Sequence, residues 1–205
     1  MKNYQFYYLV IILVIMDQII KLLVHYNMPL YSEISLIGNF FKLHHIENPG
    51  MAFGINFDYK YTKLILTLFR LFASIVIGFY LHGLILKNLN TKLLFSTSLI
   101  FSGAIGNVID SIFYGVFLKN APKSAPFELF NGQVVDMFFI DIWEGYLPSY
   151  LPFIGDTYLS LWPVFNLADS CIFIGVSILI IFQKQVFNSN EYSFIYFRMN
   201  IINIF

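Results

Sequence analysis

Three aspartates stand in strongly apolar stretches of this chain: Asp110 after Val108 and Ile109, Asp136 between Val134-Val135 and Met137-Phe138, and Asp169 after Phe165-Asn166-Leu167-Ala168. A carboxylate held in or against a bilayer is costly, so each acid is a functional-site candidate. The chemistry that two of them would supply is water activation. Two aspartates within about 3 Å of each other cannot both ionise, so they share one proton. One then takes a proton from water while the other gives one to a carbonyl oxygen, and a peptide carbonyl becomes a tetrahedral diol. Such a pair needs no metal and no cofactor. Spacing leaves open which two of the three would pair, and equally whether the acids are structural or line an ion path.

Other polar groups accompany them. Asn107 and Asp110, like Asn166 and Asp169, are spaced i and i+3, which puts each amide and carboxylate on one helical face. Asp17 and Lys21 are spaced i and i+4 with the acid first, the favourable order for an intrahelical ion pair, and Arg70 is a further charge in an apolar run. Alternative hydrolytic motifs are absent. His44-His45-Ile46-Glu47 lacks the spacing of a His-Glu-x-x-His zinc site, and no Gly-x-Ser-x-Gly elbow occurs. Gly155-Asp156 reads as a turn, because Phe153 stands where a Gly-x-Gly-Asp protease motif has its first glycine.

The elements that must position these groups are membrane helices. The 205 residues are 58% hydrophobic and only 12% charged, with a mean hydropathy of +0.70, which sets the chain apart from soluble domains. Four segments reach the roughly 20 apolar residues a spanning helix needs. They run from Tyr4 to Val24, Thr62 to Leu86, Leu93 to Tyr114 and Trp162 to Phe182. The expected fold is an α-helical integral membrane protein with one four-helix domain over residues 1–187 and a C-terminal tail over 188–205. The first apolar run continues past Asp17 and Lys21 without a small-residue cleavage site, so it reads as a retained span. Zero net charge removes the electrostatic footprint of a nucleic-acid binder. Cys171, the single cysteine, reads as a small buried apolar residue.

An even number of spans leaves both termini on one side and the loops Asn27 to Tyr61 and Gly115 to Leu161 on the other. Basic residues tie between the two sides, but those on the terminal side lie in shorter segments, which favours termini inside. Residues Glu33 to Phe57 mix β-branched and aromatic residues with glycines and Pro49, the pattern of short strands and turns. The prolines between Pro122 and Pro163 exclude one long helix in the second loop.

Five blocks, taken together, resemble the lipoprotein signal peptidase family (signal peptidase II). They are Asp17-Gln18 with Lys21, Glu47 to Phe53, Gly103 to Asp110, Val134-Val135-Asp136, and Phe165 to Asp169. They stand in the family's order and cover residues 5 to 185. The resemblance implies an aspartyl endopeptidase of the bacterial inner membrane, with its site near the outer face. It would cut prolipoproteins before a cysteine carrying a diacylglyceryl group, with membrane lipid around it and a monomer expected. It selects Asp136 and Asp169 as the reacting pair and implies an outer β-cradle with a loop or helix segment. Asn48 and Gly50 of that cradle, with Asn107 and Asn166, would bind substrate, and Asp17, Lys21 and Asp110 would support. One departure stands out: the family's third block commonly continues Asp-Arg, and here Ser111 replaces that substrate-contacting arginine. Arg70 would compensate if its helix faces the site. The stretch from Phe117 to Gln133 has no assigned role. A transporter with acids along an ion path is the competing reading, and would be expected to show repeated halves or broken helices.

Overall fold

The computed structural model describes residues 3–50, 61–87, 89–146, 148–150, 158–160 and 162–187. Three long helices form its body: α1 (Gln5–Asn27), α2 (Thr62–Leu86) and α3 (Thr91–Phe117). All three are long and apolar enough to cross a membrane. Their polarity is reversed relative to a soluble bundle. Ile11, Ile15 and Ile19 of α1 and Phe69, Phe72 and Phe79 of α2 are exposed, whereas Asp17, Lys21, Asp110 and Ser111 are buried. Apolar side chains facing outward are what lipid solvates, and the polar ones find partners inside.

The fourth apolar segment is shorter than its sequence suggests. α4 spans Leu167–Ile181 and is followed by the single turn α5, Gln183–Phe187. Residues 162–166 stay outside the helix because the Phe165 backbone is used elsewhere: it pairs with Phe138 as an isolated antiparallel bridge. The Phe165 N–H donates to the Phe138 carbonyl at 3.0 Å, and the Phe138 N–H donates back at 2.7 Å. α3 is the central helix, packed against α1, α2 and α4. Small residues make the α3–α4 crossing close: a Cβ on Gly103 would stand 2.2 Å from the Ala168 carbonyl oxygen.

The two loops expected on one side are joined by a sheet. β1 (Glu33–Ile37), β2 (Phe41–Asn48) and β3 (Val134–Ile140) form an antiparallel sheet with β2 in the centre. Opposite residues are Ile46 and Asp136, Glu47 and Val135, and Asn48 and Val134. A separate hairpin pairs β4 (Glu144–Tyr146) with β5 (Tyr158–Ser160). No helix occurs between α3 and α4 among the described residues, so of the loop or helix segment expected in the second loop, strands and turns are what is seen there. Gly155-Asp156, the strand pattern beyond Gly50 and the tail after Phe187 lie outside the described residues.

The unassigned stretch after Phe117 has a structural reason. It leaves α3, turns, and comes back onto that helix's last turns, where the Phe130 and Gly132 N–H groups donate to the Ile112 and Ser111 carbonyls at 3.0 Å each. Asn120 and Gln133 close its neck through three hydrogen bonds of 2.7 to 3.1 Å. The chain therefore enters β3 beside Asp110 and Ser111, and Asp136 follows three residues after Gln133.

Candidate active site

Asp136 lies on β3 and is 2% exposed. Both of its oxygens accept amide hydrogens: Asn166 Nδ2 donates to Oδ1 at 2.6 Å and Asn48 Nδ2 to Oδ2 at 3.0 Å. Burial, and after it the charge of Asp169, push the Asp136 carboxyl up to about 7. At neutral pH the group is poised to hold or release a proton.

Asp169 is presented by the first turn of α4. Asn166 is the N-cap: its side-chain oxygen accepts from the Asp169 N–H at 2.9 Å, and Asp169 Oδ2 accepts from the Asn166 N–H at 3.3 Å. This reciprocal pair is a capping box, which fixes the acid relative to the helix start. The bridge between Phe165 and Phe138 sets that start beside β3, so one residue later Asn166 reaches Asp136. Asp169 Oδ1 takes the Asn107 Nδ2 hydrogen at 2.8 Å, and Asn107 Oδ1 accepts from Asn166 Nδ2 at 3.3 Å. The two asparagines thereby form one hydrogen-bonded chain from Asp136 to Asp169. Asp169 is half-buried, whereas Asp136 is enclosed.

The third acid is turned elsewhere. Lys21 Nζ is 2.7 Å from both Asp17 Oδ2 and Asp110 Oδ2, with all three side chains buried. The expected Asp17–Lys21 pair is therefore one side of a triad tying α1 to α3. Lys21 also donates to Asn107 Oδ1 at 3.1 Å, which fixes that amide's orientation, and Asp17 Oδ1 accepts the Ala168 N–H at the start of α4. Gln18 joins the network, donating to Asp110 Oδ1 at 2.8 Å and accepting from the Tyr114 hydroxyl at 3.0 Å. The two Asn-x-x-Asp patterns are thus not equivalent: one is a helix cap and the other lies inside α3.

Two further residues enter from the cradle and from α2. Asn48 Oδ1 accepts the Gly50 N–H at 2.7 Å while its amide holds Asp136. Gly50 has φ +96°, a conformation that calls for glycine, and a Cβ there would push on the ends of the Leu66 and Arg70 side chains, 2.3 Å from Cδ2 and 3.3 Å from Nη2. Arg70 Nη1 donates to Ser111 Oγ at 3.0 Å, and Ser111 donates in turn to the Asn107 carbonyl at 2.8 Å. Arg70 lies within electrostatic reach of Asp169, Asp110 and Asp136. The guanidinium missing from position 111 is therefore supplied beside that position by α2. Arg70 belongs to a buried or half-buried polar stripe with Lys63, Thr67 and Ser74. Lys63 Nζ has no hydrogen-bond partner among the described residues. Spacing of i, i+4, i+7 and i+11 marks this stripe in the sequence, and only Arg70 was expected from it.

Helices with lipid-facing apolar sides, and a buried cluster of acids and amides under a small sheet, define a membrane protein built around a polar site. A sequence profile of the family described as signal peptidase (SPase) II matches residues 9–184. A lipoprotein signal peptidase of Amoebophilus asiaticus is 45% identical over 186 residues, covering 89% of this chain and 79% of that protein. One of Porphyromonas gingivalis is 41% identical, covering 84% and 80%. A solved bacterial membrane enzyme is similar in fold, with a TM-score of 0.59 at 25% identity, over 91% of this chain and 92% of the other. The chain belongs to the signal peptidase II family. It is a bacterial membrane peptidase, and the transporter reading falls away.

Proposed function

We propose that this chain removes signal peptides from prolipoproteins, cutting before a diacylglyceryl-modified cysteine, with Asp136 and Asp169 as the water-activating pair. The observation that carries the pairing is the Asn166–Asn107 amide bridge, which holds the two carboxylates in one network. Asp169, the more accessible acid, takes the proton from water. Asp136, held near 7, keeps the shared proton and gives it to the carbonyl oxygen. Asn48 and Gly50, at the end of β2, hold the extended substrate backbone. Arg70 is the substrate-contacting cation in place of the family's arginine, and a guanidinium supplies the planar donor fork that Ser111 lacks. Asn107 and Asn166 orient the acids, and the Asp17–Lys21–Asp110 triad supports them.

The outward apolar faces of the long helices and the position of the sheet support a membrane placement. α4 serves as the fourth span with α5 extending it, and residues 1–187 act as one peptidase domain with 188–205 as an appended tail. The termini face the cytoplasm and the sheet faces outward from the inner membrane. The substrate's acyl chains then lie among lipid and helices while its scissile bond reaches water at the interface. The protein acts as a monomer. Purified protein in lipid vesicles should cut a precursor carrying the diacylglyceryl group and leave the unmodified precursor intact. Equal cleavage of both would reject the proposed substrate.

A further inference from the structure

The motif His44-His45-Ile46-Glu47 is not part of the acid site, yet the fold gives two of its members a third partner. β2 carries one more residue than β3 between the Leu43–Phe138 and Ile46–Asp136 pairs, a bulge at His44 and His45. Bulges re-aim side chains. His45 is turned inward and is 2% exposed, with Glu47 two residues on along the same strand. Against them stands His25, in the last turn of α1. One ligand atom from each of His25, His45 and Glu47 lies within 4.8 Å of the other two, and His25 Nδ1 is 3.6 Å from Glu47 Oε1. A tetrahedral ion with bonds of about 2.0–2.1 Å separates its ligand atoms by about 3.3 Å, so the three donors are close to binding distance.

The protonation pattern suits an ion. His45 Nδ1 lies 2.9 Å from the Met28 carbonyl oxygen, which can only accept. In the neutral ring Nδ1 therefore carries the hydrogen and Nε2 keeps its lone pair. A ring nitrogen tied to a backbone carbonyl with the other left to a metal is the usual outer support of a histidine ligand. Among the described residues, His45 Nε2 is buried without a hydrogen-bond partner, and so is His25 Nδ1. The rings stand edge to face at 80°, with centroids 5.8 Å apart. The Asn120 side chain lies near Glu47.

We infer that His25, His45 and Glu47 form a binding site for a divalent transition-metal ion of the zinc class, with a fourth position left to water. Two imidazoles and one carboxylate are a donor set such ions favour. Its role is to tie the outer end of α1 to β2 next to Asn48, and it takes no part in the cleavage chemistry. The inference does not rest on the peptide-cleavage reading.

Full-length protein in detergent should bind one Co2+ per chain at micromolar metal, giving visible d–d bands that Zn2+ displaces. Zn2+ should raise Tm and shift the ring resonances of His25 and His45 while leaving His44 and His82 in place. His45→Gln and Glu47→Gln should each weaken binding at least about tenfold. Wild-type protein that takes up no Co2+, or Zn2+ that moves all four histidines alike, would overturn the site whether or not the variants fold. Undiminished binding by folded variants would do the same.

Discussion

At the residue scale, the central fact is that two carboxylates are assigned different environments by amides. Asp136 is enclosed and held near 7 by burial and by Asp169. Asp169 is half-buried at a helix start. An acid whose value is raised carries its proton below that value and loses it above. The shared-proton state therefore disappears as pH rises through about 7, and kcat/KM should fall roughly tenfold per pH unit beyond it. A profile flat from pH 6 to 9 would contradict this. The acids themselves were legible in the sequence because carboxylates in apolar runs are conspicuous. Spacing alone left three candidates; the family resemblance singled out Asp136 and Asp169, and the fold sets Asp110 against Lys21. Gln18 was visible only as part of the Asp17-Gln18 block, and Tyr114 gave no clear signal, since a tyrosine in a third span has many ordinary uses.

At the element scale, three features position the site: the α4 capping box, the α1–α3 ion triad and the polar stripe of α2. Asn166→Ala removes a cap and orphans an oxygen of Asp136, an expected cost of about 2–4 kcal/mol together with loss of cleavage. Asn166→Ser restores the cap but not the reach to Asp136, so thermal unfolding should recover further than activity does. Arg70→Leu should reduce kcat/KM about ten- to hundredfold, the worth of a charge-assisted hydrogen bond. Ser111→Arg should lower activity on its own, because it sets a second guanidinium against the first in a buried place. Combined with Arg70→Leu it should recover most of the loss, and a double variant no better than either single one would reject the substitution of one cation by the other. α2 was legible to the residue, running from Thr62 to Leu86 as its apolar run indicates. α4 was placed five residues too early, because hydropathy does not register that Phe165 is taken by a strand bridge. Short strands around Glu33 to Asn48 were readable from β-branched and aromatic content. The β3 pairing that joins the two loops was not, since partners 88 residues apart leave no local trace.

At the scale of the whole molecule, apolar side chains face outward on the long helices and the polar groups converge under the sheet. That inversion accounts for a chain whose composition is incompatible with a soluble core yet whose buried residues include several acids and amides. The proposed orientation is tested at the same scale. A cysteine placed at exposed Leu36 on β1 should react with an impermeant thiol reagent added outside intact cells, and one at exposed Gln183 should not, with buried Cys171 silent in both. The reverse pattern would invert the proposed orientation. The claim on which the rest depends is that Asp136 and Asp169 act as one pair, and it is tested most directly by single-turnover cleavage of a diacylglyceryl-modified precursor by Asp136→Asn and Asp169→Asn in lipid vesicles. Each variant should insert and unfold as the wild type does and yet be slowed by at least about 10²–10⁴-fold. Cleavage at the wild-type rate by either one would contradict the pairing.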